Sequence, residues 1–308
     1  MNANNPWPEL TIADWSDTRD TLHLWTQIVG KVRLGLEPML NHWWQVTLYV
    51  SARGLTTGLM PTDGRGLDME FDFTDHLLRL RTSDGQTAQV ALVPQTTAAF
   101  YAGVRAALGE VGVSVPIYPR PSEVAEAIPF DQDEVHRSYD AEAAHRFWLA
   151  LLQADRVMHR FRAGFLGKAS PVHYFWGGPD LAVTRFSGRR APKHPGGVPN
   201  CPDWVQELAY SHEVHSCGFW PGGEEGLFYA YAYPQPEGFA DWPIAPEAAY
   251  YDLAMGEFIL PYGAVRQAAN PDMLLMQFFE SSYEAAANLG HWDRAELEVE
   301  PRNLTTQQ

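Results

Sequence analysis

Cysteine is scarce in this sequence, and so is positive charge. The two cysteines, Cys201 and Cys217, do not form a C-x-x-C pair, which excludes zinc ribbons and thioredoxin-like redox sites. We therefore expect two free thiols in a reducing cytoplasm. Lysine and arginine number 22 against 38 acidic residues, giving a formal net charge of −16. A field of that sign repels phosphate backbones, so we expect no nucleic-acid partner.

Long apolar runs are also missing from the sequence. No window approaches the roughly 18 apolar residues that a membrane-spanning helix needs. The stretch from Met1 to Trp15 has no basic region followed by an apolar one, and so does not resemble a signal peptide. The sequence predicts a cytoplasmic protein without a membrane partner, and it leaves the oligomeric state open.

The arrangement of periodic segments predicts an α+β fold. No G-x-G-x-x-G opens a helix, and strands do not alternate regularly with helices, which disfavours a doubly wound dinucleotide-binding sheet. Apolar residues at helical spacing predict helices over 18–36, 96–108, 140–165 and 273–288. Alternating, β-branched segments predict strands at 43–51, 68–73, 76–81, 88–92, 172–176, 181–186, 207–214 and 227–233. We expect mainly antiparallel sheets with packed helices.

A Pro-rich, polar stretch at 118–133 separates two candidate αβ halves, residues 1–120 and 134–308, which could still form one compact domain. Both halves have a helix, a Gly-Lys pair, a histidine beside aromatic residues, further strands and a last helix. The matching positions are Gly30-Lys31 with His42, and Gly167-Lys168 with His173. This order indicates a duplicated αβ unit, with chance similarity as the alternative.

Two segments, 170–189 and 210–222, contain most of the side chains capable of chemistry. Both mix imidazole, carboxylate and guanidinium groups with aromatic residues and glycines, which is the composition of a binding pocket. Because a strand has a period of two, Glu213 and His215 share one face while His212 points to the other. These three residues cannot bind one metal from a regular strand, and the run is not H-E-x-x-H. A complete site needs a contributor from elsewhere, such as His173 or His42.

Three residues are the candidate catalytic groups: His173, His212 and Glu213. The two histidines would form an acid/base pair, and Glu213 would orient one of them or take a proton. In a metal-assisted form of this site, a divalent transition metal would be bound by His42, His173 and His212. The alternative is a hydrogen-bonded, buried histidine beside a surface glutamate with no chemical role.

Five further residues are candidates for substrate binding: Arg185, Arg189, Trp176, Trp220 and Asp180. Arg185 shares a predicted strand face with apolar Val183 and Leu181, so it must be paired, with Asp180 as one choice, or bind an anion. Arg189 follows a glycine, where the chain can turn and present a guanidinium group. The two tryptophans would be walls of a cleft. Structural ion pairs and core packing are the alternative explanations.

Several unusual strings resemble a bacterial family catalogued as domain of unknown function 5996. They include Asn41-His-Trp-Trp44, Phe71-Asp-Phe73, Ser170-Pro-Val-His173, Ser211-His-Glu213 and Gly218-Phe-Trp-Pro-Gly222. The resemblance covers nearly the whole chain and implies no particular activity. His212 and Glu213 belong to the family pattern whereas His215 is less regular, which argues against a scheme that needs His215.

The clustering of titratable and aromatic residues favours an enzyme with a His/Glu/Arg pocket that acts on a small polar or anionic substrate, with or without a metal. Two alternatives remain open. The same cleft could bind a small molecule without catalysis, or the aromatic motifs could all be core of a structural or interaction protein. The relative positions of His42, His173, His212 and Glu213 distinguish these hypotheses.

Overall fold

A computed structural model describes residues 5–299 of the chain. The helices are α1 (Ser16–Leu36), α2 (Thr97–Glu110), α3 (Ala141–Ala163), α4 (Asp203–Ala209), α5 (Tyr262–Gln267), α6 (Pro271–Leu289) and α7 (Arg294–Leu297). The strands are β1 (Tyr49–Val50), β2 (Gly54–Thr56), β3 (Met60–Thr62), β4 (Arg65–Asp72), β5 (Leu77–Thr82), β6 (Thr87–Ala91), β7 (His173–Phe175), β8 (Asp180–Arg190), β9 (His212–Trp220), β10 (Leu227–Tyr233), β11 (Tyr250–Asp252) and β12 (Glu257–Pro261). The predicted α+β class is confirmed.

The strands form two antiparallel sheets that meet at one point. The N-terminal sheet has the order β1-β2-β4-β5-β6, with β3 paired to β4, and the C-terminal sheet has the order β11-β12-β10-β9-β8-β7. Between them, the amide of Leu48 donates to the carbonyl of Tyr174 at 2.9 Å, and the amide of Tyr174 donates back at 2.7 Å. The first strands of the two halves are therefore joined edge to edge.

Helices cover one face of the C-terminal sheet, which we call the inner face. Helix α3 packs on β8 and also on β1 and β2, while α6 packs on β9 and β10. The inner side chains Leu181, Val183 and Phe219 are fully buried. The opposite face, the outer face, carries polar side chains such as Asp180 and Thr184. One apolar and one polar face is the usual character of an antiparallel sheet.

The predicted strand at 43–51 is largely wrong. Residues Asn41–Val46 form a 3-10 turn, and within the predicted range the strand is limited to Tyr49–Val50, preceded by the bridge of Leu48 to Tyr174. His42 and Trp43 have φ of 57° and 64°, in the left-handed region that non-glycine residues rarely adopt. Contacts distant in sequence hold this turn: Nδ1 of His42 donates to the carbonyl of Ala209, and the ring of Trp43 lies 5.0 Å from that of Trp204.

The predicted strand at 207–214 is also wrong over most of its length. Helix α4 occupies Asp203–Ala209, and strand β9 begins at His212 and continues to Trp220. Pro202 precedes α4, and a proline there suits a helix start because it lacks an amide donor. None of the residues of α4 is fully buried. The helix lies against the 3-10 turn, and so brings Ala209 to His42.

The Pro-rich linker between the halves is held by α1. The side chain of Gln27 donates to the carbonyl of Ser122 at 2.9 Å and accepts from its amide at 2.8 Å. Lys31 donates to the carbonyl of Arg120 at 2.8 Å. Each half contributes a helix, an antiparallel sheet and a later helix in the same order, but their duplication stays a prediction. Within residues 5–299, no helix is both long and apolar enough to cross a membrane.

Candidate functional site

Strand β9 divides its titratable side chains between the two faces of the sheet. On the inner face, His215 is fully buried, with Nε2 3.0 Å from Oγ of Ser282 and its ring beside Phe161 and Tyr283. Burial lowers the pKa of His215 to about 3. His212 points to the outer face and meets residues from the other half of the chain. This split is the one that strand periodicity requires.

Glu213 and Arg189 bind each other. Nη2 of Arg189 lies 2.6 Å from Oε2 of Glu213, and the hydroxyl of Ser187 donates to the same carboxylate at 2.7 Å. Arg189 also donates to the carbonyls of Gly290 and His291, just past the end of α6. Cations are favourable at a helix C-terminus. Arg189 and Glu213 thus stabilise the C-terminal end of α6. The structure does not bring the carboxylate of Glu213 to the ring of His173 or His212.

Arg185 is packed into a box of aromatic rings on the inner face. Its Cζ lies 3.5 Å from the ring centroid of Phe161 and 4.4 Å from that of Tyr283. It donates to the carbonyl of Phe161 and lies 3.5 Å from Oε1 of Glu280. The partner suggested by the sequence, Asp180, is wrong, since Asp180 is on the outer face. With 1% of its surface exposed, Arg185 is not available to a substrate.

The two tryptophans proposed as cleft walls pack within the fold. Trp176 is buried, and its Nε1 donates to the carbonyl of Val46 at 2.6 Å. Its ring presses on α1 so closely that a Cβ on Gly30 would lie 2.1 Å from Nε1. Trp220 is half-buried and lies over Gly222, where a Cβ would be 2.0 Å from the indole. Trp176 therefore joins the halves, and Trp220 closes a turn.

Four basic side chains gather at one end of the outer face: His42, Lys168, Arg190 and His212. We call them the basic cluster. The rings of His42 and His212 are 5.7 Å apart, and Arg190 is the cross-strand partner of His212. Nζ of Lys168 lies 2.8 Å from Nε2 of His42. Since Nδ1 of His42 donates to the Ala209 carbonyl at 2.9 Å, Nε2 is the acceptor.

Desolvation and the nearby positive charges lower the pKa of both imidazoles in the basic cluster. Desolvation is the main cause that lowers the pKa of His42, and the charge of Lys168 adds to it. Desolvation also lowers the pKa of His212, with further contributions from Lys168 and Arg190. Lys168 lies over two rings, 5.4 Å from that of Trp44 and 5.1 Å from that of Phe186. In the described part of the chain, no carboxylate forms a salt bridge with any member of the cluster.

His173 lies next to the basic cluster but does not belong to it. Its side chain is fully buried, with its ring 6.3 Å from that of Trp44 and 4.6 Å from that of Phe175. Neither ring nitrogen has a hydrogen-bond partner among residues 5–299. Burial, aided by the nearby charges of Arg33 and Arg162, lowers the pKa of His173 to about 3. The imidazole is therefore neutral at any ordinary pH.

The three histidines predicted to bind a metal do not converge. The rings of His42 and His212 are neighbours, whereas the ring of His173 contacts those of Trp44 and Phe175. Both nitrogens of His42 are already occupied, by Lys168 and by the Ala209 carbonyl. Over residues 5–299, no group of three or more His, Cys, Asp or Glu side chains is arranged to hold a metal ion.

Asp180 occupies the other end of the outer face and accepts a hydrogen bond from the hydroxyl of Tyr229. Tyr229 can reach it because the ring lies flat over Gly218, where a Cβ would be 2.4 Å from the hydroxyl. Burial raises the pKa of Asp180 to about 6. A second carboxylate, Glu123 from the linker, approaches the same place: a Cβ on Gly178 would be 3.3 Å from Oδ1 of Asp180 and 3.9 Å from Oε2 of Glu123.

Sequence reasoning missed the roles of Lys168, Tyr229 and Glu123. From the sequence, Lys168 stands out only as part of a Gly-Lys pair, and Glu123 lies in the Pro-rich, polar stretch at 118–133. Desolvation by burial is the main cause that raises the pKa of Glu123 to about 7, and repulsion from Asp180 adds to it. The pair Gly177-Gly178 was the available signal, because two adjacent glycines allow other groups to approach the backbone closely.

A wide depression of about 510 Å³ lies away from these groups, near the starts of α2 and α3. Its lining includes Thr96 and Asp140, the N-cap residues of the two helices. Each side chain accepts a hydrogen bond from a backbone amide of its own helix. Helix capping therefore accounts for the side chains of Thr96 and Asp140 in this depression.

Comparison with known proteins identifies a family but no characterised relative. A family model described as "Family of unknown function (DUF5996)" matches residues 7–299. No curated protein and no solved structure matches the chain. The resemblance read from the sequence motifs is confirmed over nearly the whole chain.

Proposed function

The chain belongs to the DUF5996 family of unknown function, and we propose that it binds a small anionic substrate at the basic cluster and acts on it by proton transfer. One observation carries the proposal. Within residues 5–299, four basic side chains gather without a salt bridge to a carboxylate, on a protein whose formal net charge is −16. An anionic ligand supplies the charge that this arrangement lacks.

The rest of the surface supports this interpretation by contrast. Many of its cations lie within salt-bridge distance of a carboxylate, for example Arg81 with Asp68 at 2.6 Å and Lys193 with Glu207 at 2.9 Å. Repulsion within the basic cluster costs free energy, because like charges in partly desolvated surroundings destabilise one another. A cluster of this kind is typical of a functional site, where such a cost is retained for binding or chemistry.

The arrangement suits acid–base chemistry on an anion. Lys168 and Arg190 provide positive charge, and Lys168 and the Ala209 carbonyl hold the ring of His42 in one tautomer. The imidazole of His212, whose Nδ1 lies 3.1 Å from Oγ of Ser211 and whose pKa is lowered by desolvation and by the charges of Lys168 and Arg190, can accept a proton from a bound molecule. Aromatic Trp44 and Phe186 form the apolar wall beside these groups.

Anion binding by matched variants tests the proposal. We expect phosphate, sulfate or small carboxylates to raise the melting temperature of the parent protein, since a ligand at 100 times its Kd stabilises by about 2.7 kcal/mol. Lys168→Ala and Arg190→Ala should weaken that effect. Lys193→Ala removes the same charge from a lysine paired with Glu207 and should leave it unchanged. Equal loss in all three variants, or no stabilisation of the parent by any anion, contradicts the proposal.

A further inference from the structure

The imidazole of His173 is a polar group for which the protein provides no partner. It is fully buried, and Nδ1 and Nε2 both lack a hydrogen bond within residues 5–299. Buried polar groups are nearly always hydrogen-bonded, because an unpaired one has lost its water without compensation. A phenylalanine would fill a comparable volume without that penalty. The presence of histidine at this position therefore calls for a partner from outside the chain.

The ring of Trp44 contacts both His173 and the basic cluster. The ring of Trp44 lies 6.3 Å from that of His173 on one side and 5.3 Å from that of His42 on the other. Lys168 lies over the same indole at 5.4 Å. Trp44 is half-buried, so one edge is open to solvent. It also follows His42 and Trp43, whose left-handed backbone marks the strained part of the turn.

The register of the C-terminal sheet gives His173 a small neighbour. His173 is paired with Ala182, and Ala182 is paired with Gly218. Side chains that are directly opposite in an antiparallel sheet lie on the same face, so His173 faces outward beside the methyl group of Ala182. The rings of Trp44 and Phe175 pack against its imidazole.

We propose that His173 is the inner contact of the substrate site, and that it hydrogen-bonds a hydroxyl or carbonyl group of the anionic molecule when Trp44 moves aside. The inference rests on the proposed function and specifies its substrate class. The basic cluster binds the carboxylate or phosphate, and His173 recognises an uncharged oxygen nearby. The substrate is therefore a small hydroxy acid, oxo acid or phosphorylated alcohol with at least one further oxygen.

The chemistry of a neutral imidazole supports this division of roles. One ring nitrogen donates and the other accepts, so a hydroxyl group can pair with either nitrogen and a carbonyl with the donor. Arg33 and Arg162 oppose protonation of the ring. His173 therefore offers no positive charge to the acid group itself, which is left to Lys168 and Arg190. A substrate oxygen that pairs with His173 also removes the cost of an unpaired buried group.

Ligand pairs that differ by one oxygen test the proposal. Glycolate is compared with acetate, lactate with propionate, and 2-hydroxypropyl phosphate with propyl phosphate, each by calorimetric titration of the full chain. We expect the oxygen-bearing member to bind about tenfold more tightly, the ratio that one net hydrogen bond provides. His173→Phe should abolish that preference while it keeps the affinity for the simple anion. The carboxylate and phosphate pairs show which acid group the basic cluster prefers.

Stability separates this role from a structural one. We expect His173→Phe to melt at or above the temperature of the parent, because it removes an unpaired polar group. The matched control His215→Phe should melt lower, because it loses the contact with Ser282. A lower melting temperature for His173→Phe with an unchanged ligand preference would mean that His173 serves the fold, and that outcome overturns the inference.

Spectra of the parent protein give a test that does not depend on the variant. Nitrogen-resolved NMR of the His173 ring should respond to glycolate and not to acetate. Anion binding without any preference for the extra oxygen overturns the role of His173 and leaves the proposed function in place. A parent that binds none of the anions overturns both.

Discussion

The ammonium group of Lys168 lies 2.8 Å from Nε2 of His42, and the other ring nitrogen of His42 donates to the carbonyl of Ala209. Lys168 precedes the first strand of the C-terminal sheet, whereas His42 belongs to a turn of the N-terminal half. The hydrogen bond thus joins the two halves at the candidate site. It also requires a neutral His42 with its proton on Nδ1.

The charge of Lys168 should be visible in the titration of its neighbours. Lys168→Met removes a positive charge that lowers the pKa of both His42 and His212, so both pKa values should rise towards the ordinary histidine value. Proton NMR titration of the ring resonances measures this. Lys193→Met, which removes a lysine paired with Glu207, should leave both titrations in place. Unchanged pKa values in Lys168→Met would contradict the geometry of the basic cluster.

Asp180 should make stability fall as the pH rises. Its pKa is raised from 3.8 to about 6 in the folded protein, so its contribution to the free energy of unfolding is fully present below its unfolded pKa. That contribution disappears as the pH passes about 6. Asp180→Asn should remove at most about 3 kcal/mol of this dependence. Urea unfolding between pH 4 and pH 8 measures the difference.

Tyr229→Phe should change the pH dependence of the free energy of unfolding in the direction opposite to Asp180→Asn. The hydroxyl of Tyr229 stabilises the Asp180 carboxylate, so its removal raises the pKa of Asp180 further. The decline in stability should then extend to higher pH than in the parent. Parallel curves for the parent, Asp180→Asn and Tyr229→Phe would mean that the two side chains do not interact.

Arg185 should stabilise the fold without affecting ligand binding. Its salt bridge contributes little because about half of the Glu280 side chain is exposed, but its stem and guanidinium are buried against Phe161 and Tyr283. We expect Arg185→Ala to lower the free energy of unfolding by about 3 kcal/mol. Arg185→Met, which keeps the apolar stem, should cost less.

The control measurement is the anion affinity of Arg185→Ala and Arg185→Met. Because Arg185 faces inward and the basic cluster faces outward, the affinity of the folded protein should be that of the parent. A selective loss of affinity with little change in stability would restore Arg185 as a substrate-binding residue.

Gly218 should be intolerant of any side chain. A Cβ there would lie 2.4 Å from the hydroxyl of Tyr229 and 2.6 Å from the carbonyl oxygen of Leu181, and the backbone oxygen cannot yield. We expect Gly218→Ala to destabilise by about 1–3 kcal/mol. Gly109→Ala is the control, since it has open space within α2 and should stabilise by about 0.5–1 kcal/mol. Thermal unfolding of both variants settles the comparison.

Local periodicity was sufficient for the long elements of the fold. The helix predicted over 140–165 is α3 (Ala141–Ala163), and Leu227–Tyr233 is a strand over the predicted range. The opposite directions of His212 and Glu213 also follow from periodicity alone. The predicted strands at 43–51 and 207–214 failed. A bond between His42 and Ala209, 167 residues apart, stabilises the turn and helix found there.

The contacts of the candidate site could not be predicted from local periodicity either. Sequence spacing identified His42, His173 and His212 as unusual, but it could not indicate that His42 and His212 are neighbours whereas His173 is buried beside Trp44 and Phe175. It also assigned Glu213 and Arg189 to chemistry, whereas the two bind each other at the end of α6. Partners of charged groups are chosen across the fold, and no local pattern encodes them.

The sequence by itself determined the α+β class, the family and the strand parity that sends His212 outward, because each depends on composition, long motifs or the regular geometry of a strand. The tertiary structure alone decided that Lys168 meets His42, that Arg185 packs against Phe161 and Tyr283, and that His173 has no hydrogen-bond partner among residues 5–299. Those contacts join residues far apart in the chain. They depend on how two sheets and their helices pack, and that packing places the basic cluster between the two halves.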